Sequence, residues 1–310
     1  MSILVVGSVA FDTLETPHGK AGKILGGAAT HFSLASSFFT PTRVIGVVGT
    51  DFLPEHEAVL TTKGIDTRGI EHADGLSFHW TGSYLNDLNA ADTLQTDLNV
   101  FASFAPKIPE GYRDSEFLFL ANIDPVLQLR VRQQLPNVKL VAGDTMNYWI
   151  GAHRDNLLPV LRELDILLIN DGEARMLTGE SNGLRAAEAV LALGPKTLIV
   201  KHGEYGSTAY FSPRSFADGV AHKPFRAPTL PLRDVVDPTG AGDSFAGGFF
   251  GYLAAQAAIT PQIFRMAMFY GAALGSFAVE RFGTERLQHT TRAEIDERVQ
   301  HLREISHLEF

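Results

Sequence analysis

The chain has 310 residues, which is long enough for one large or two smaller α/β domains with a proper hydrophobic core. Hydrophobic residues make up 45% and charged residues 20%, a balance typical of globular proteins that excludes a disordered chain. The formal charge of −9, without a cluster of lysine and arginine, argues against nucleic-acid or anionic-membrane partners. The absence of cysteine excludes disulfides, zinc–thiolate sites and thiol nucleophiles, and we expect a cytoplasmic protein.

The first apolar run, at residues 3–7, predicts a buried strand. No basic leader or small-residue cleavage site accompanies it, so we do not expect a signal peptide. The sequence also lacks a run of about 20 uninterrupted apolar residues, the length that would span a bilayer.

Similar apolar strands recur along the chain, and helical patterns separate most of them. The predicted strands are residues 3–7, 43–48, 117–121, 139–142, 166–170 and 197–201. The predicted helices include residues 156–164, 184–193, 244–257 and a charged surface helix at 292–310. This alternation predicts a mostly parallel sheet in an α/β fold, and ligands of such sheets bind beyond the carboxyl ends of the strands.

Two polar segments break the alternation, and we interpret them as a lid over the substrate site. Period-2 alternation at residues 77–81 and 98–104 predicts antiparallel strands outside the main sheet. The predicted α/β core comprises residues 1–12, 26–75 and 106–310, and the predicted small antiparallel β lid comprises residues 13–25 and 76–105.

The strongest chemical signal is the string VVDPTGAGDSFAGG at residues 235–248. Gly240 and Gly242 bracket Ala241 directly before an apolar helix, and glycine lets the backbone approach a ligand closely. The start of a helix leaves amides unpaired and carries the positive end of the dipole, which suits an anion. Asp243 stands where it can take a proton from an attacking hydroxyl. The alternative is that Asp243 only caps the helix and the glycines only make a turn.

This string resembles the C-terminal signature of the PfkB (ribokinase-like) carbohydrate kinase family. Four further motifs match the family in order and spacing, so the resemblance covers nearly the whole chain. They are GSVAFD at 7–12, the glycine pair at 26–27, NDGE at 170–173 and KHGEYG at 201–206. The resemblance implies a three-layer α/β/α, ribokinase-like (Rossmann-like) core. It also implies a kinase that uses ATP and Mg²⁺ to phosphorylate a hydroxyl, expected to be a primary hydroxymethyl, of a sugar or ribonucleoside.

The resemblance also implies which residues act. Asp243 would be the general base, with the backbone amides of Gly240, Ala241 and Gly242 as anion hole. The residues that would bind substrate are Asp12, Gly26 and Gly27. The residues that would bind nucleotide are Asn170, Glu173, Lys201, Gly203 and Gly206, of which Asn170 and Glu173 would organise Mg²⁺ through water. The residues that resemble the family's monovalent-cation site, here for K⁺, are Asp237, Thr239, Ala278, Arg281 and Gly283.

Several of these residues also have ordinary structural interpretations. Asp12 follows a strand end and could accept two hydroxyl hydrogen bonds, or it could be a solvated turn residue. Asn170 and Glu173 supply oxygen ligands suited to hydrated Mg²⁺, or they could complement a helix N-terminus. His31 stands where the family commonly has an asparagine that binds a substrate hydroxyl, so we assign it to substrate binding. The alternative is a histidine packed against the core.

Asp144 follows a strand in the middle of the predicted sheet, so we expect it to face the crevice and bind substrate. Tyr148 and Trp149 follow it closely, and the predicted lid adds further aromatic residues, Phe78, Trp80, Phe101 and Phe104. These rings could stack on a base or a sugar face, or they could form a hydrophobic seam between lid and core. The aromatic content slightly favours a nucleoside, and a free sugar stays open.

Two other classes of protein share parts of this pattern. A dinucleotide-dependent oxidoreductase would have G-x-G-x-x-G after its first strand, and residues 7–12 do not match it. A catalytically silent sugar- or nucleotide-binding regulator stays open, because binding and catalysis share residues. A homodimer is also open, since the strand edges of a lid often pair with another copy.

Overall fold

The computed structural model of the protein describes residues 1–220 and 222–306. Its strands are β1 (Ile3–Val6), β2 (Ala10–Thr16), β3 (Gly19–Gly26), β4 (Thr42–Val48), β5 (Asp66–His72), β6 (His79–Ser83), β7 (Asp92–Asp97), β8 (Phe117–Leu120), β9 (Leu140–Asp144), β10 (Ile166–Asn170), β11 (Thr197–Lys201), β12 (Ser207–Phe211) and β13 (Phe225–Ala227). Its helices are α1 (Ala28–Ser36), α2 (Pro54–Thr61), α3 (Pro125–Gln134), α4 (Asn147–Ala152), α5 (Arg154–Glu163), α6 (Asp171–Thr178), α7 (Gly183–Ala192), α8 (Ala241–Ala254), α9 (Pro261–Ala278), α10 (Glu285–His289) and α11 (Arg292–Glu304).

The main sheet has the strand order β13-β12-β11-β10-β9-β8-β1-β4-β5. Every pair from β11 to β5 is parallel, and only β12 and β13 at one edge pair antiparallel. Alternate side chains of β1 enter different cores, Ile3 and Val5 on one face and Leu4 and Val6 on the other. Helices α1, α8, α9 and α11 cover the first face, and α3, α5, α6 and α7 cover the second. This confirms the predicted three-layer α/β/α architecture.

A second, smaller sheet has the order β3-β2-β6-β7. It is formed largely by the two segments predicted to be the lid, so we call it the lid sheet. Its outer pairs, β2–β3 and β6–β7, are antiparallel as predicted, whereas the central pair β2–β6 is parallel. The central pair is parallel because the chain leaves the lid after β3, builds α1 to β5 of the core, and returns in the same direction. The predicted boundary at residues 12–13 falls inside β2, so Asp12 lies on a lid strand.

The prediction of a strand at residues 98–104 is wrong, because the structure has a 3₁₀ helix at Asn99–Ser103. Asn99 has a φ of 48°, which ends the extended backbone. In a 3₁₀ helix, residues three apart share a face, so Phe101 and Phe104 stack with ring centroids 5.5 Å apart. Phe78 stacks on Phe101 at 5.4 Å. The apparent alternation therefore arises from an aromatic ladder between lid and core.

Most other predicted elements agree with the structure to within a few residues. The helix predicted at 244–257 begins three residues earlier, at Ala241, so Asp243 lies in its first turn. The predicted C-terminal helix is present at Arg292–Glu304, and its last four predicted residues, 307–310, lie outside the described part of the chain. Among the described residues, no helix is long and apolar enough to cross a membrane.

One carboxylate of the core contacts both chain segments of the lid sheet. Asp51, in the loop after β4, accepts hydrogen bonds from the Ser77 amide and hydroxyl, both at 2.8 Å. It also lies 3.3 Å from the Lys23 ammonium on β3. These contacts hold the lid sheet over the carboxyl ends of the core strands.

Candidate active site

The predicted site residues converge where the carboxyl ends of the central strands meet the N-terminus of α8. Asn170 and Lys201 are the last paired residues of β10 and β11, and Asp144 ends the neighbouring β9. The charge of Asp243 raises the pKa of both Asp144 and Asp12, so these three carboxylates are within electrostatic reach of each other. Tertiary structure therefore brings together residues from four of the motifs and Asp144, which stands in none of them.

The N-terminus of α8 is built by a glycine in the left-handed region. Gly240 is the N-cap residue with φ 72° and ψ 1°, and no side chain caps the helix. Asp243 is therefore not the N-cap residue, although its carboxylate lies in the first turn of α8. In the described part of the chain, the amides of Gly240 and Gly242 donate to no backbone partner, whereas the Ala241 amide donates to the Pro238 carbonyl at 3.2 Å. Two of the three amides predicted for the anion hole are thus free to bind an anion.

The carboxylate of Asp243 is partly buried in the crevice. Burial raises its pKa, while the charge of Lys201 and the backbone amide of Asp243 itself lower it. The pKa of Asp144 is raised well above its usual value, by burial first and then by the charge of Asp243. Asp144 is 6% exposed, and its Oδ1 has no hydrogen-bond partner among the described residues. Carboxylates in a crevice whose pKa is raised by burial and by neighbouring charges are typical of proton-transfer sites.

Asp12 and the glycine pair fit each other sterically. A Cβ at Gly26 would overlap the Asp12 carboxylate, and a Cβ at Gly27, whose φ is 95°, would lie 2.5 Å from the Ser8 carbonyl oxygen. Neither position therefore tolerates a side chain without local movement. Burial raises the pKa of Asp12 to about 8, with further contributions from the charges of Asp237 and Asp243, and the Gly27 amide opposes the shift.

Asp12→Asn is expected to stabilise the fold, and to do so more at high pH. The native carboxyl holds a proton that the unfolded chain releases near pH 3.8, so the stability contributed by Asp12 declines as pH rises from about 4 through about 8. Thermal unfolding should show a Tm gain of at least about 2 °C for Asp12→Asn at pH 8.5, and a smaller gain at pH 5. Exposed Asp155→Asn is the control. An equal Tm gain at pH 5 and pH 8.5 would contradict the raised pKa of Asp12.

His31 lies directly beneath the anion-hole loop. It is 1% exposed, neither ring nitrogen has a partner among the described residues, and a Cβ at Gly240 would overlap its ring. Burial lowers the pKa of His31 to about 4, so the imidazole is neutral at pH 7. The structure thus shows the buried packing considered as the alternative for His31, and a direct substrate contact stays a prediction.

Asn170 and Glu173 cap the N-terminus of α6 reciprocally. Asn170 Oδ1 accepts from the Glu173 amide at 2.7 Å, and Glu173 Oε2 accepts from the Asn170 amide at 2.8 Å. Glu173 Oε1 is outside this box, and the carboxylate faces Lys201 and Asp243 electrostatically. Among the described residues no three acidic or histidine side chains form a metal-binding group. This donor set fits a hydrated Mg²⁺ that keeps most of its ligands as water and phosphate oxygens.

The predicted monovalent-cation residues surround a buried carboxylate. Asp237 is 0% exposed, and its two oxygens accept from the amides of Thr239 at 2.9 Å and Gly283 at 2.8 Å. Ala278 is buried one turn before this loop, whereas Arg281 is exposed. The two loops are therefore joined, and a cation between them stays a prediction.

Two lid residues that the sequence analysis did not single out contact the site loops. The hydroxyl of Thr239 donates to the Tyr84 hydroxyl at 3.3 Å, and burial raises the pKa of Tyr84 to about 12. Asn89 lies against Gly203, one of two predicted nucleotide-binding glycines with positive φ, the other being Gly206. The only signal for these lid residues was their place in the aromatic and asparagine-rich segment.

The aromatic residues divide into two groups. The lid residues Phe78, Phe101 and Phe104 stack on one another and form the hydrophobic seam considered above. Trp149 instead donates its indole N–H to Asn122 Oδ1 at 3.0 Å, and Tyr148 packs against it with ring centroids 4.8 Å apart. Asn122 follows β8, next to β1 and β9 in the sheet, so this second group lies beside the crevice. Asn122 stands in none of the predicted motifs.

Comparisons with known proteins identify relatives of this chain. The family description "pfkB family carbohydrate kinase" matches residues 2–291. A cytidine kinase of Thermococcus kodakarensis is 30% identical over 257 residues, covering 80% of this chain and 87% of the relative.

Solved structures share the fold. A nucleoside kinase of Burkholderia thailandensis in complex with inosine superposes with a TM-score of 0.74 at 20% identity, covering 97% of this chain and 98% of the other. An E. coli protein described as a ribokinase II, in complex with ATP and Mg²⁺, gives a TM-score of 0.75 at 23% identity, covering 97% and 99% of the two chains.

Proposed function

The chain belongs to the pfkB family of carbohydrate kinases, and we propose that it transfers the γ-phosphate of ATP to the primary hydroxyl of a ribonucleoside. Family membership makes it a sugar or nucleoside kinase, for which ATP and Mg²⁺ are typical. The finer proposal rests on one observation. The unpaired amides of Gly240 and Gly242 stand beside the Asp243 carboxylate, within electrostatic reach of Asp12.

The proposed reaction is an in-line transfer with Asp243 as general base. The acceptor hydroxyl, held by Asp12 and the backbone at Gly26 and Gly27, lies against Asp243. Its oxygen forms a bond to the γ-phosphorus while the bond from that phosphorus to the β–γ bridging oxygen breaks, and the hydroxyl proton passes to the Asp243 carboxylate. The free amides of Gly240 and Gly242 stabilise the charge on the transferring group.

The remaining site residues have supporting roles in this proposal. Mg²⁺, held through water by Asn170 and Glu173, would neutralise phosphate charge. We assign the nucleotide to the loop between Gly203 and Gly206, and K⁺ to the loops joined by Asp237. The lid of residues 13–25 and 76–105 would exclude water from the reaction, and the free edges of its sheet, β3 and β7, would suit a homodimer.

A ribonucleoside is favoured over a free sugar by the group around Trp149. The indole is held by Asn122 at the end of β8, and Asp144 lies at the end of β9 beside it. An indole fixed in this way presents a face that can stack on a nucleobase. A free sugar has no base to stack on it. The relative at 30% identity is named for cytidine phosphorylation, which supports the same acceptor class.

The test is coupled ADP release with a panel of ribonucleosides and of free sugars such as ribose and fructose. We expect kcat/KM to be largest for a nucleoside. Trp149→Ala should raise the nucleoside KM about 10- to 100-fold, because stacking of a base on an aromatic ring contributes about 1–3 kcal/mol. Turnover of ribose should change little.

Trp80→Ala is the matched control, since that indole donates to Thr93 within the lid sheet. A free sugar with higher kcat/KM than every nucleoside would overturn the acceptor assignment. Tight binding of one ligand without any ADP release would instead favour the silent regulator.

A further inference from the structure

The ammonium of Lys201 projects across the first turn of α8. Lys201 ends β11, and its Nζ lies 2.8 Å from where a Cβ of Gly242 would be, with Cε at 3.8 Å. Among the described residues, no other group comes within 4 Å of that position, apart from the helix's own backbone and adjacent residues. The amide of Gly242 is one of the two free donors of the anion hole. A lysine side chain therefore reaches the same spot as the anion-binding backbone.

The Lys201 ammonium lies at a helix N-terminus, which is an unusual place for a positive charge. A positive charge at a helix N-terminus is repelled by the dipole. Within the described residues, the Lys201 ammonium forms no hydrogen bond and no ion pair within 4 Å, whereas the ammonium of Lys196, near the other end of β11, pairs with Asp165 at 2.6 Å. The charge of Lys201 lowers the pKa of Asp243, Asp144 and Glu173, so the ammonium is attracted to these carboxylates over a longer distance.

The position of Lys201 explains why residue 242 is a glycine. Its φ is not in the left-handed region, and it lies inside α8, so its backbone conformation does not require glycine. Alanine would be the better helix former at this position. In the part of the chain that the structure describes, the only atoms that its Cβ would meet closely belong to the Lys201 side chain, so the missing side chain leaves room for the ammonium.

We propose that Lys201 is a catalytic residue whose ammonium, seated over Gly242, contacts the γ-phosphoryl group as it moves from ATP to the acceptor. The inference rests on the proposed function and extends it, because it assigns Lys201 to the transferring γ-phosphoryl group instead of to general nucleotide binding. Lys201 exchanges no proton in the step. Its charge offsets that of the phosphoryl oxygens, together with the amides of Gly240 and Gly242.

The first test compares Lys201→Met with Lys196→Met in the full chain. We expect Lys201→Met to lower kcat by about 10²- to 10³-fold, the range for removing one preorganised donor. The Kd for ADP should stay within about 3-fold of wild type, because ADP lacks the γ-phosphate. Lys196→Met should retain wild-type kcat. Lys201→Met with near-normal kcat, or with ADP affinity reduced as strongly as kcat, would overturn the proposal.

The second test is a double-mutant cycle with Gly242→Ala. Gly242→Ala should fold with an unchanged or higher Tm and lose at least about 10-fold in kcat, since the alanine methyl displaces the ammonium. In the Lys201→Met background the same change should cost less than about 3-fold. An equal loss in both backgrounds would show that Gly242 serves phosphate approach alone and would contradict the proposal.

The two tests separate this inference from the proposed function. If the wild-type chain phosphorylates no nucleoside or sugar, the proposed function fails. If the wild type turns over and Lys201→Met turns over equally well, only the role of Lys201 fails.

Discussion

Asp243→Asn is expected to lower kcat by about 10²- to 10⁴-fold, the contribution typical of a general base. Asparagine has the same shape but cannot take the acceptor proton. The variant should fold normally, because removing a partly buried carboxylate whose pKa is raised by burial removes a cost in the native state. Steady-state kinetics with the best acceptor of the panel and a thermal melt measure the two effects.

The pH profile identifies the base. Burial raises the pKa of Asp243, so kcat of the wild type should rise with pH as this carboxylate loses its proton. Asp243→Asn should lose that acidic limb. Asp155→Asn, on the exposed side of α5, is the control and should keep both rate and profile. Turnover of Asp243→Asn within about 3-fold of wild type would exclude Asp243 as the base.

Gly240→Ala is expected to damage both the site and the fold. At a φ of 72° a Cβ is strained, and here it would also overlap the buried His31 ring. The loop must shift, which misplaces the free amides of Gly240 and Gly242, so kcat should fall by about 10²- to 10³-fold. The strain and the overlap should together lower the free energy of unfolding by about 2–4 kcal/mol.

A second glycine separates the two causes. Gly64 has the same φ of 72°, but no atom of residues 1–220 or 222–306 beyond its chain neighbours lies within 4 Å of its Cβ position. Gly64→Ala therefore carries the backbone strain alone, about 1–2 kcal/mol, and should leave kcat unchanged. If chemical denaturation gave equal losses for Gly64→Ala and Gly240→Ala, the His31 ring would not support the anion-hole loop.

Much of the fold was readable in the chain because its signals are local. Apolar runs such as residues 166–170 and 197–201 identify buried strands, and the structure has β10 and β11 at these residues. The prediction for residues 98–104 failed because a period-2 pattern and a 3₁₀ helix of aromatic residues look alike at that length. The parallel β2–β6 pair could not be foreseen, since it depends on the path of the intervening core.

The site residues also fall into two groups, those that the sequence identified and those that it did not. The motif strings identified Asp243, Asp12 and the glycines, because each string combines a turn with a particular side chain. Tyr84 and Asn122 were missed because neither stands in a string, and each matters through a partner far away in sequence, Thr239 and Trp149.

The sequence by itself determined the α/β/α class, the family and the identity of the groups at the N-terminus of α8. Tertiary structure alone decided that His31 lies beneath Gly240 and that Lys201 occupies the space left by Gly242. The reason is physical: a strand or a helix start depends on neighbouring residues, whereas a contact between α1 or β11 and α8 depends on how separate layers pack. Residues distant along the chain meet only when those layers have formed.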